Sequence, residues 1–311
     1  MPRLPHTSLD VHPLCLGGDV FGWTADEHQS FAVLDRYAQA GGNFIDTADM
    51  YSYWLDGNSG GESETIVGRW MAERGNRDEM VIATKVGKLE GLEGLAAHTI
   101  ARAAEDSLRR LQTDRIDLYY SHEDDLHTPL EETLGAFDEL VRTGKVRHVG
   151  ASNCLAERLV AGLAVSDREG LTRYAAVQPE YNLLERGYEQ SLRDLCREEG
   201  LGCVPYSALA SGFPTGKYRP GLPVPHSLRG GMGAAYLNDP RGAGMLAAVD
   251  EIAAVHDATV PAVALAWLAA QDTVAAPISS ARTVEQLEAL LPMAELMLSE
   301  HELERLSAAG E

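Results

Sequence analysis

The segment MVIATKVG (residues 80–87) is a short apolar run, and two more follow it in RIDLYYSH (115–122) and KVRHVGASN (145–153). Between these runs, apolar side chains recur three and four positions apart, as in Leu134, Phe137 and Leu140. That spacing is typical of a helix with one buried face. Residues 80–153 therefore predict three strands separated by two amphipathic helices.

The same alternation extends over almost the whole chain. Strands are predicted at Leu14–Leu16, Asn43–Ile45, Met80–Thr84, Ile116–Tyr120, Val146–Gly150, Ala175–Gln178, Gly202–Pro205 and Val274–Ile278. Helices are predicted at Glu27–Gln39, Ser63–Glu73, Thr99–Leu111, Leu130–Arg142, Leu155–Ser166, Tyr188–Glu199, Pro261–Ala270 and Thr283–Leu291. Eight such units in 311 residues favour an α/β fold, a closed (β/α)8 TIM barrel, over a doubly wound sheet. We expect residues 1–311 to form a single domain.

Three features stand outside this repeat. A long segment rich in Gly and Pro, Ala208–Gly244, follows the seventh strand, and a loop of this length in a compact barrel is usually functional. Ser299–Ala308 predicts an added C-terminal helix with a capping box formed by Ser299 and Glu302. The residues before Leu14 are expected to form a hairpin that plugs the bottom of the barrel. Thr24 is the predicted N-cap of the first helix.

Composition excludes several classes of partner. The net charge of −21 argues against nucleic acid and against an anionic membrane surface. The four cysteines form no CxxC pair and no metal-ligand pattern, which indicates reduced thiols. The sequence begins with no signal-peptide pattern, and no apolar stretch is long enough to span a bilayer. We therefore predict a cytoplasmic protein that is a monomer or a weak homo-oligomer.

Four polar side chains stand where the second, third and fourth predicted strands end: Asp46, Tyr51, Lys85 and His122. Because the carboxyl ends of barrel strands meet at one mouth, these side chains should converge. An ammonium beside a phenol favours the phenolate, so Lys85 is expected to lower the pKa of Tyr51 from about 10. Tyr51 would then protonate a carbonyl oxygen, with Asp46 holding Lys85 and His122 orienting the carbonyl. No side chain delivers a hydride, so this chemistry requires a nicotinamide.

Each residue also has a structural interpretation. Asp46 and Lys85 could form only a structural ion pair, and Tyr51 could be a loop aromatic. His122 precedes three acidic residues, which could indicate a metal site. Metal barrels, however, usually carry several ligands on separate strands, and that pattern is not seen, so we predict no metal. The joint occurrence at consecutive strand ends favours the carbonyl chemistry.

These residues lie in motifs through which the chain resembles the aldo-keto reductase superfamily, especially bacterial members related to the potassium-channel β subunits. The motifs cover nearly the whole chain and are AGGNFIDTADMYS (40–52), GESETIVGRW (61–70), VIATKVG (81–87), DLYYSHEDD (117–125), TPLEETLGAFDELVRTGKVRHVGASN (128–153), VQPEYNLLER (177–186) and PYSALASGFPTGKY (205–218). The resemblance implies a catalytic tetrad of Asp46, Tyr51, Lys85 and His122. It also implies reduction of an aldehyde or ketone by a nicotinamide cofactor bound without a Rossmann domain.

The resemblance further implies which residues hold the cofactor. From the nicotinamide to the adenosine they are Ser152, Asn153, Gln178, Tyr206, Ser207, Leu209, Ser211, Lys217, Arg282 and Gln286. The first three bind the carboxamide, Tyr206 stacks on the ring, and Ser207 to Lys217 enclose the pyrophosphate. Arg282 is placed for an adenosine 2′-phosphate, since guanidinium binds phosphate oxygens in pairs. NADPH is therefore the expected cofactor, with NADH as the alternative.

These contacts have structural interpretations as well. Asn153 could form a turn, Gln178 could be a buried hydrogen-bonding residue, and Arg282 could be a solvated charge. For Lys217, Gln286 and Glu288, the last also expected near the adenosine, a structural role is the preferred interpretation.

The chain departs from the family pattern at the adenosine end. Ser279 and Ser280 stand where relatives often have Pro-Gly, and Ala289 and Leu290 stand where they often have Glu-Asn. The second departure removes an expected hydrogen bond to adenine.

Aromatic residues near the strand ends predict the substrate pocket. Trp23, Trp54 and Phe213 are the main candidates, and aromatic walls suit an apolar or ring-bearing carbonyl compound. A small-molecule carbonyl is therefore the expected partner. Two other functions stay open at this point: a cofactor-binding, redox-sensing regulatory subunit with little turnover, and a metal-dependent barrel hydrolase or lyase.

Overall fold

The computed structural model describes residues 3–219, 221–224 and 230–311, and these contain eight parallel strands. The strands are β1 (Cys15–Gly17), β2 (Phe44–Asp46), β3 (Val81–Val86), β4 (Ile116–Ser121), β5 (Val146–Ser152), β6 (Tyr174–Gln178), β7 (Gly202–Cys203) and β8 (Ile278–Ser279). They pair in the order β7-β6-β5-β4-β3-β2-β1-β8. Val274, shortly before β8, forms a parallel bridge with Cys203 of β7, so the two edges of the sheet meet. The predicted (β/α)8 barrel is confirmed.

Helices follow the strands in alternation. They are α1 (Glu27–Gln39), α2 (Glu62–Arg74), α3 (Ala97–Leu111), α4 (Leu130–Arg142), α5 (Ala156–Glu169), α6 (Leu192–Glu199), α7 (Gly230–Ala235), α8 (Gly242–His256), α9 (Val260–Ala269), α10 (Val284–Leu290) and α11 (Glu300–Ala309). The predicted helix Tyr188–Glu199 is interrupted, because a 3-10 turn at Gly187–Gln190 precedes α6. Within the described residues no single helix is long and apolar enough to cross a membrane, although α8 and α9, bent by 98° at their junction, meet that criterion together.

Side-chain caps determine where several helices begin. Helix α1 begins after Asp26, whose carboxylate accepts from the backbone N–H of Gln29 at 2.8 Å while the Gln29 side chain accepts from the N–H of Asp26 at 3.1 Å. The prediction that Thr24 is the N-cap was therefore wrong, because Asp26 forms the complete capping box with Gln29. The capping box of Ser299 and Glu302 at the start of α11 is confirmed.

The segment after β7 is less irregular than its composition indicates. Two 3-10 helices, Ala210–Thr215 and Tyr236–Asn238, lie before and after the short helix α7, and α8 begins at Gly242. Of the predicted loop, residues 220 and 225–229 lie outside the described residues.

A hairpin closes the bottom of the barrel, as predicted. The N–H of Leu4 donates to the carbonyl of Leu9 at 2.9 Å, and Arg3 forms an antiparallel bridge with Asp10. The side chains of Leu4, Leu9 and Val11 are buried against residues of the barrel interior.

The pleat of the strands explains which side chains reach the barrel mouth. The interior is packed by Phe44 of β2, Ala83 of β3, Leu118 and Tyr120 of β4, and Ala176 of β6. Because side chains alternate between the two faces of a strand, the next inward positions toward the carboxyl ends are 46, 85, 122 and 178. The top layer of the interior is therefore polar, and it is formed by Asp46, Lys85, His122 and Gln178.

Candidate active site

Lys85 is the centre of a buried hydrogen-bond network at the mouth of the barrel. Its side chain is fully buried, and its ammonium donates to the Asp46 carboxylate at 2.6 Å, to the carbonyl of Thr47 at 2.7 Å and to the Tyr51 hydroxyl at 2.8 Å. Three acceptors match the three N–H groups of an ammonium. Lys85 is thus fixed directly beneath the phenol.

A side-chain hydrogen bond from Gln178 to Asp46 links β6 to β2. One carboxylate oxygen accepts from Lys85, and the other accepts from the side-chain amide of Gln178 at 2.8 Å. The Tyr51 hydroxyl lies 3.4 Å from the oxygen that Lys85 also contacts. Burial raises the pKa of Asp46, and Lys85 and Gln178 oppose that rise. These contacts bring Asp46, Tyr51 and Lys85 together as the sequence predicted.

The pKa of Tyr51 moves in the opposite direction to the one predicted. Burial is the largest cause, and the negative charges of Asp46 and Asp19 add to it, so the pKa of Tyr51 lies well above its ordinary value. The expectation that Lys85 lowers this pKa was wrong in its net direction, because it left out burial and the two carboxylates. At neutral pH Tyr51 is a phenol that holds its proton, which is the state that an acid needs.

The His122 ring lies beside that of Tyr51. Its ring centroid is 6.1 Å from that of Tyr51, with the two planes 77° apart. Burial and the charges of Lys85 and Lys88 lower the pKa of His122 well below its usual value, so the ring is neutral at pH 7. Its buried Nδ1 has no hydrogen-bond partner among the described residues. His122 lines the cleft above the network, so its ring can offer a hydrogen bond to a molecule that enters the site.

A single cleft of about 860 Å³ opens above the network and continues along the mouth toward α10. At the Tyr51 end its walls include Trp23 and Trp54, whose rings meet edge to face with centroids 5.3 Å apart. Lys88 and Thr24 complete this end. A cleft of this size accommodates a large cofactor and a small substrate together.

The predicted nicotinamide contacts form one hydrogen-bonded group beside Tyr51. The Asn153 amide donates to the carbonyl of His122 at 2.9 Å, and its oxygen accepts from the Tyr206 hydroxyl at 2.8 Å. The Ser152 hydroxyl donates to the carbonyl of Gln178 at 2.9 Å. All four predicted residues, Ser152, Asn153, Gln178 and Tyr206, line the cleft.

The backbone after β7 is strained where the pyrophosphate is expected. Ser207, Ala210 and Ser211 have φ values of 53°, 43° and 55°, in the left-handed region that residues other than glycine rarely adopt. Strain of this kind is concentrated at ligand sites. Ser207, Leu209, Ser211 and Lys217 line the cleft here, and Arg282 and Gln286 line its far end.

Phe213 and Glu288 do not line the cleft. Phe213, predicted for the substrate pocket, is fully buried, with its ring packed against Tyr218 and Tyr236. It stabilises the segment after β7 and is not among the residues that line the cleft. Glu288, for which a structural role was the preferred interpretation, forms a two-point ion pair with Arg36 of α1 and is not among the cleft residues, which agrees with that interpretation.

Sequence reasoning also missed residues that belong to the site. Asp19 and Ser280 line the cleft, and the Ser280 hydroxyl donates to the Asp19 carboxylate, which links the ends of β1 and β8. Asp19 follows the first strand directly, so the rule that site residues follow strand ends could have found it.

A second missed group lies behind the site, between the barrel and its helices. Asp49 is fully buried, and neither of its carboxyl oxygens has a hydrogen-bond partner among the described residues. Its neighbour Glu64 accepts from the Thr84 hydroxyl and from Arg110, each at 2.6 Å. Burial, with the charge of Glu64, raises the pKa of Asp49 to about 8.

Comparisons with known proteins agree with this geometry. A model of the aldo/keto reductase family matches residues 13–311. The uncharacterized oxidoreductase YrpG of Bacillus subtilis is 35% identical over 98% of this chain and 94% of its own length. Protein tas of Escherichia coli is 33% identical over 98% of this chain and 96% of its own length. Norsolorinic acid reductase stcV of Emericella nidulans is 34% identical over 96% of this chain and 78% of its own length.

Proposed function

The chain belongs to the aldo/keto reductase family. We propose that it reduces an aldehyde or ketone to the alcohol with NADPH as the reductant and Tyr51 as the proton donor. One observation carries this proposal. The hydroxyl of a protonated tyrosine accepts a hydrogen bond of 2.8 Å from a fully buried ammonium, at the floor of an open cleft.

The arrangement suits a proton transfer from Tyr51 to a carbonyl oxygen. Before the transfer the raised pKa keeps the hydroxyl protonated. After it, the phenolate faces the Lys85 ammonium, and an opposite charge at hydrogen-bond distance stabilises it most where water is excluded. Asp46 holds Lys85 in place from below, and the neutral His122 can donate to the same carbonyl oxygen.

The residues along the cleft fit a nicotinamide dinucleotide. Ser152, Asn153 and Gln178 would hold the carboxamide, and Tyr206 would pack on the ring. Bound there, the cofactor supplies the hydride that no side chain can provide. The strained backbone of residues 207–211 would follow the pyrophosphate, and Arg282 favours NADPH over NADH, since its guanidinium suits a 2′-phosphate.

The substrate end favours a ring-bearing carbonyl compound. Trp23 and Trp54 form an aromatic wall within reach of Tyr51, whose ring lies 6.4 Å from that of Trp54. The relative named norsolorinic acid reductase acts, by its name, on norsolorinic acid. A cytoplasmic location and a monomeric or weakly associated state stay predictions from the sequence.

The experiment is to mix the purified protein with NADPH and a panel of aldehydes and ketones, and to follow the loss of reduced-nicotinamide absorbance. We expect turnover with at least one aromatic aldehyde and formation of its alcohol. Tight binding of NADPH without turnover of any carbonyl compound would contradict the proposal, and would favour a cofactor-binding regulatory role.

A further inference from the structure

Lys88 lies at the outer rim of the substrate end of the cleft. It follows β3 after Gly87, whose φ of 114° turns the chain at the end of the strand. Lys88 is among the residues that line the cleft, as are Trp54 and His122. Its charge reaches the catalytic group, since it is one of the two cations that lower the pKa of His122.

The counter-ion of Lys88 lies outside the cleft. The ammonium contacts the Glu123 carboxylate at 3.1 Å, and the two side chains are 35% and 49% exposed. Glu123 directly follows His122, and it is not among the residues that line the cleft. The ammonium therefore has the cleft on one side and a solvated carboxylate on the other. Because exposed ion pairs contribute little free energy, Lys88 can turn from Glu123 to another anion at small cost.

Lys85, the second cation that the described residues place near Tyr51 and His122, already has its full set of hydrogen bonds. Lys85 gives its three hydrogen bonds to Asp46, Thr47 and Tyr51, and it is fully buried. An anionic group on a substrate whose carbonyl contacts Tyr51 would therefore meet Lys88 at the rim. The protein carries a net charge of −21, which disfavours the approach of an anion, and Lys88 is a local cation that opposes this effect.

We propose that the site takes aromatic aldehydes or ketones that bear an anionic substituent, and that Lys88 recognises this substituent. This inference rests on the proposed function and deepens it. The ring of the substrate packs against the tryptophan wall, its carbonyl contacts Tyr51, and its anion pairs with Lys88 at the opening of the cleft.

The test compares an anion with a neutral molecule of similar shape. The substrates are 3- and 4-carboxybenzaldehyde, their methyl esters and benzaldehyde, each with NADPH. For the wild type, we expect kcat/KM for a carboxylate to exceed that for its ester. Lys88→Gln should lower this ratio about three- to tenfold, since the ammonium is partly solvated. Lys88→Glu should invert the preference, and added salt should weaken it in the wild type.

Two further variants separate recognition from a general effect of charge. Glu123→Gln removes the competing anion and should raise the ratio. Lys145→Gln is the matched control, because Lys145 pairs with Glu105, has similar exposure and precedes β5, at the opposite end of the barrel. It should leave the ratio unchanged.

Several outcomes of these measurements would contradict the inference. Equal ratios in the wild type, Lys88→Gln and Lys145→Gln would overturn the inference while leaving the proposed function intact. A fall of the same size in Lys88→Gln and Lys145→Gln would also overturn it, because the effect would then come from net charge. No turnover of any of these benzaldehydes by a wild type that reduces other carbonyl compounds of the broader panel would overturn the inference alone, whereas no turnover of the whole panel would overturn the proposed function and the inference together.

Discussion

Removing the charge of Lys85 should separate its structural role from its chemical one. In Lys85→Met the Asp46 carboxylate, only 1% exposed, loses its counter-ion and keeps the Gln178 amide as a donor. Breaking a buried ion pair from one side costs about 3–5 kcal/mol. That is a large part of the roughly 5–15 kcal/mol that stabilises a typical domain. Urea unfolding followed by tryptophan fluorescence would measure the loss.

The double variant Asp46→Asn/Lys85→Met is the informative partner. It removes both charges, so its free energy of unfolding should return to within about 1–2 kcal/mol of the wild type. Its kcat/KM for an aldehyde should stay low, by about 10²–10⁴-fold, because the phenolate that forms on Tyr51 still has no ammonium beside it. Recovery of activity along with stability would refute the catalytic role of Lys85, and Asp46 and Lys85 would then be a structural pair.

Three other predictions concern different parts of the molecule. Arg282→Ala should lower the ratio of kcat/KM with NADPH to that with NADH by about 10-fold or more, since a guanidinium–phosphate pair is lost; an unchanged ratio would reject the role of Arg282. The pKa of Asp49, raised to about 8 in the folded protein, means that folding takes up a proton, so the free energy of unfolding should fall as pH rises from about 4 to about 8. Asp49→Asn should remove that fall and be more stable than the wild type by up to about 4 kcal/mol at pH 7. If the free energies of unfolding in urea of the two proteins changed in parallel with pH, the result would contradict this. Trp54→Ala should raise KM for benzaldehyde several-fold. Leu55→Ala is the control, because Leu55 is a similarly exposed neighbour that does not line the cleft, and it should leave KM unchanged. Equal effects of the two substitutions in steady-state kinetics would show that the tryptophan wall does not bind the substrate.

The barrel and the core of the site were predictable because both follow from strand periodicity. Once the apolar runs define the strands, the residues that end them, Asp46, Lys85 and His122, must share one mouth. The two-residue period also makes them the top inward layer of the interior. The approximate bounds of the helices followed from apolar spacing in the same way.

What the sequence could not supply depends on packing between distant segments. Phe213 lies in a stretch rich in Gly and Pro, where no periodicity indicates which side chains turn inward, and it is buried rather than in the cleft. The partnership of Asp19 and Ser280 joins the first and last strands, so neither residue signals the other. The sign of the Tyr51 pKa shift required its burial, which a charge argument from neighbouring residues does not contain.

The decisive measurement is a comparison of Tyr51→Phe with the wild type in aldehyde reduction and in NADPH binding. The substitution removes one hydroxyl and keeps the ring. If that hydroxyl provides the proton, kcat should fall by at least about 10³-fold, while the Kd of NADPH, measured by fluorescence titration, should change by less than about threefold. Substantial aldehyde reduction by the phenylalanine variant would show that the proton comes from elsewhere.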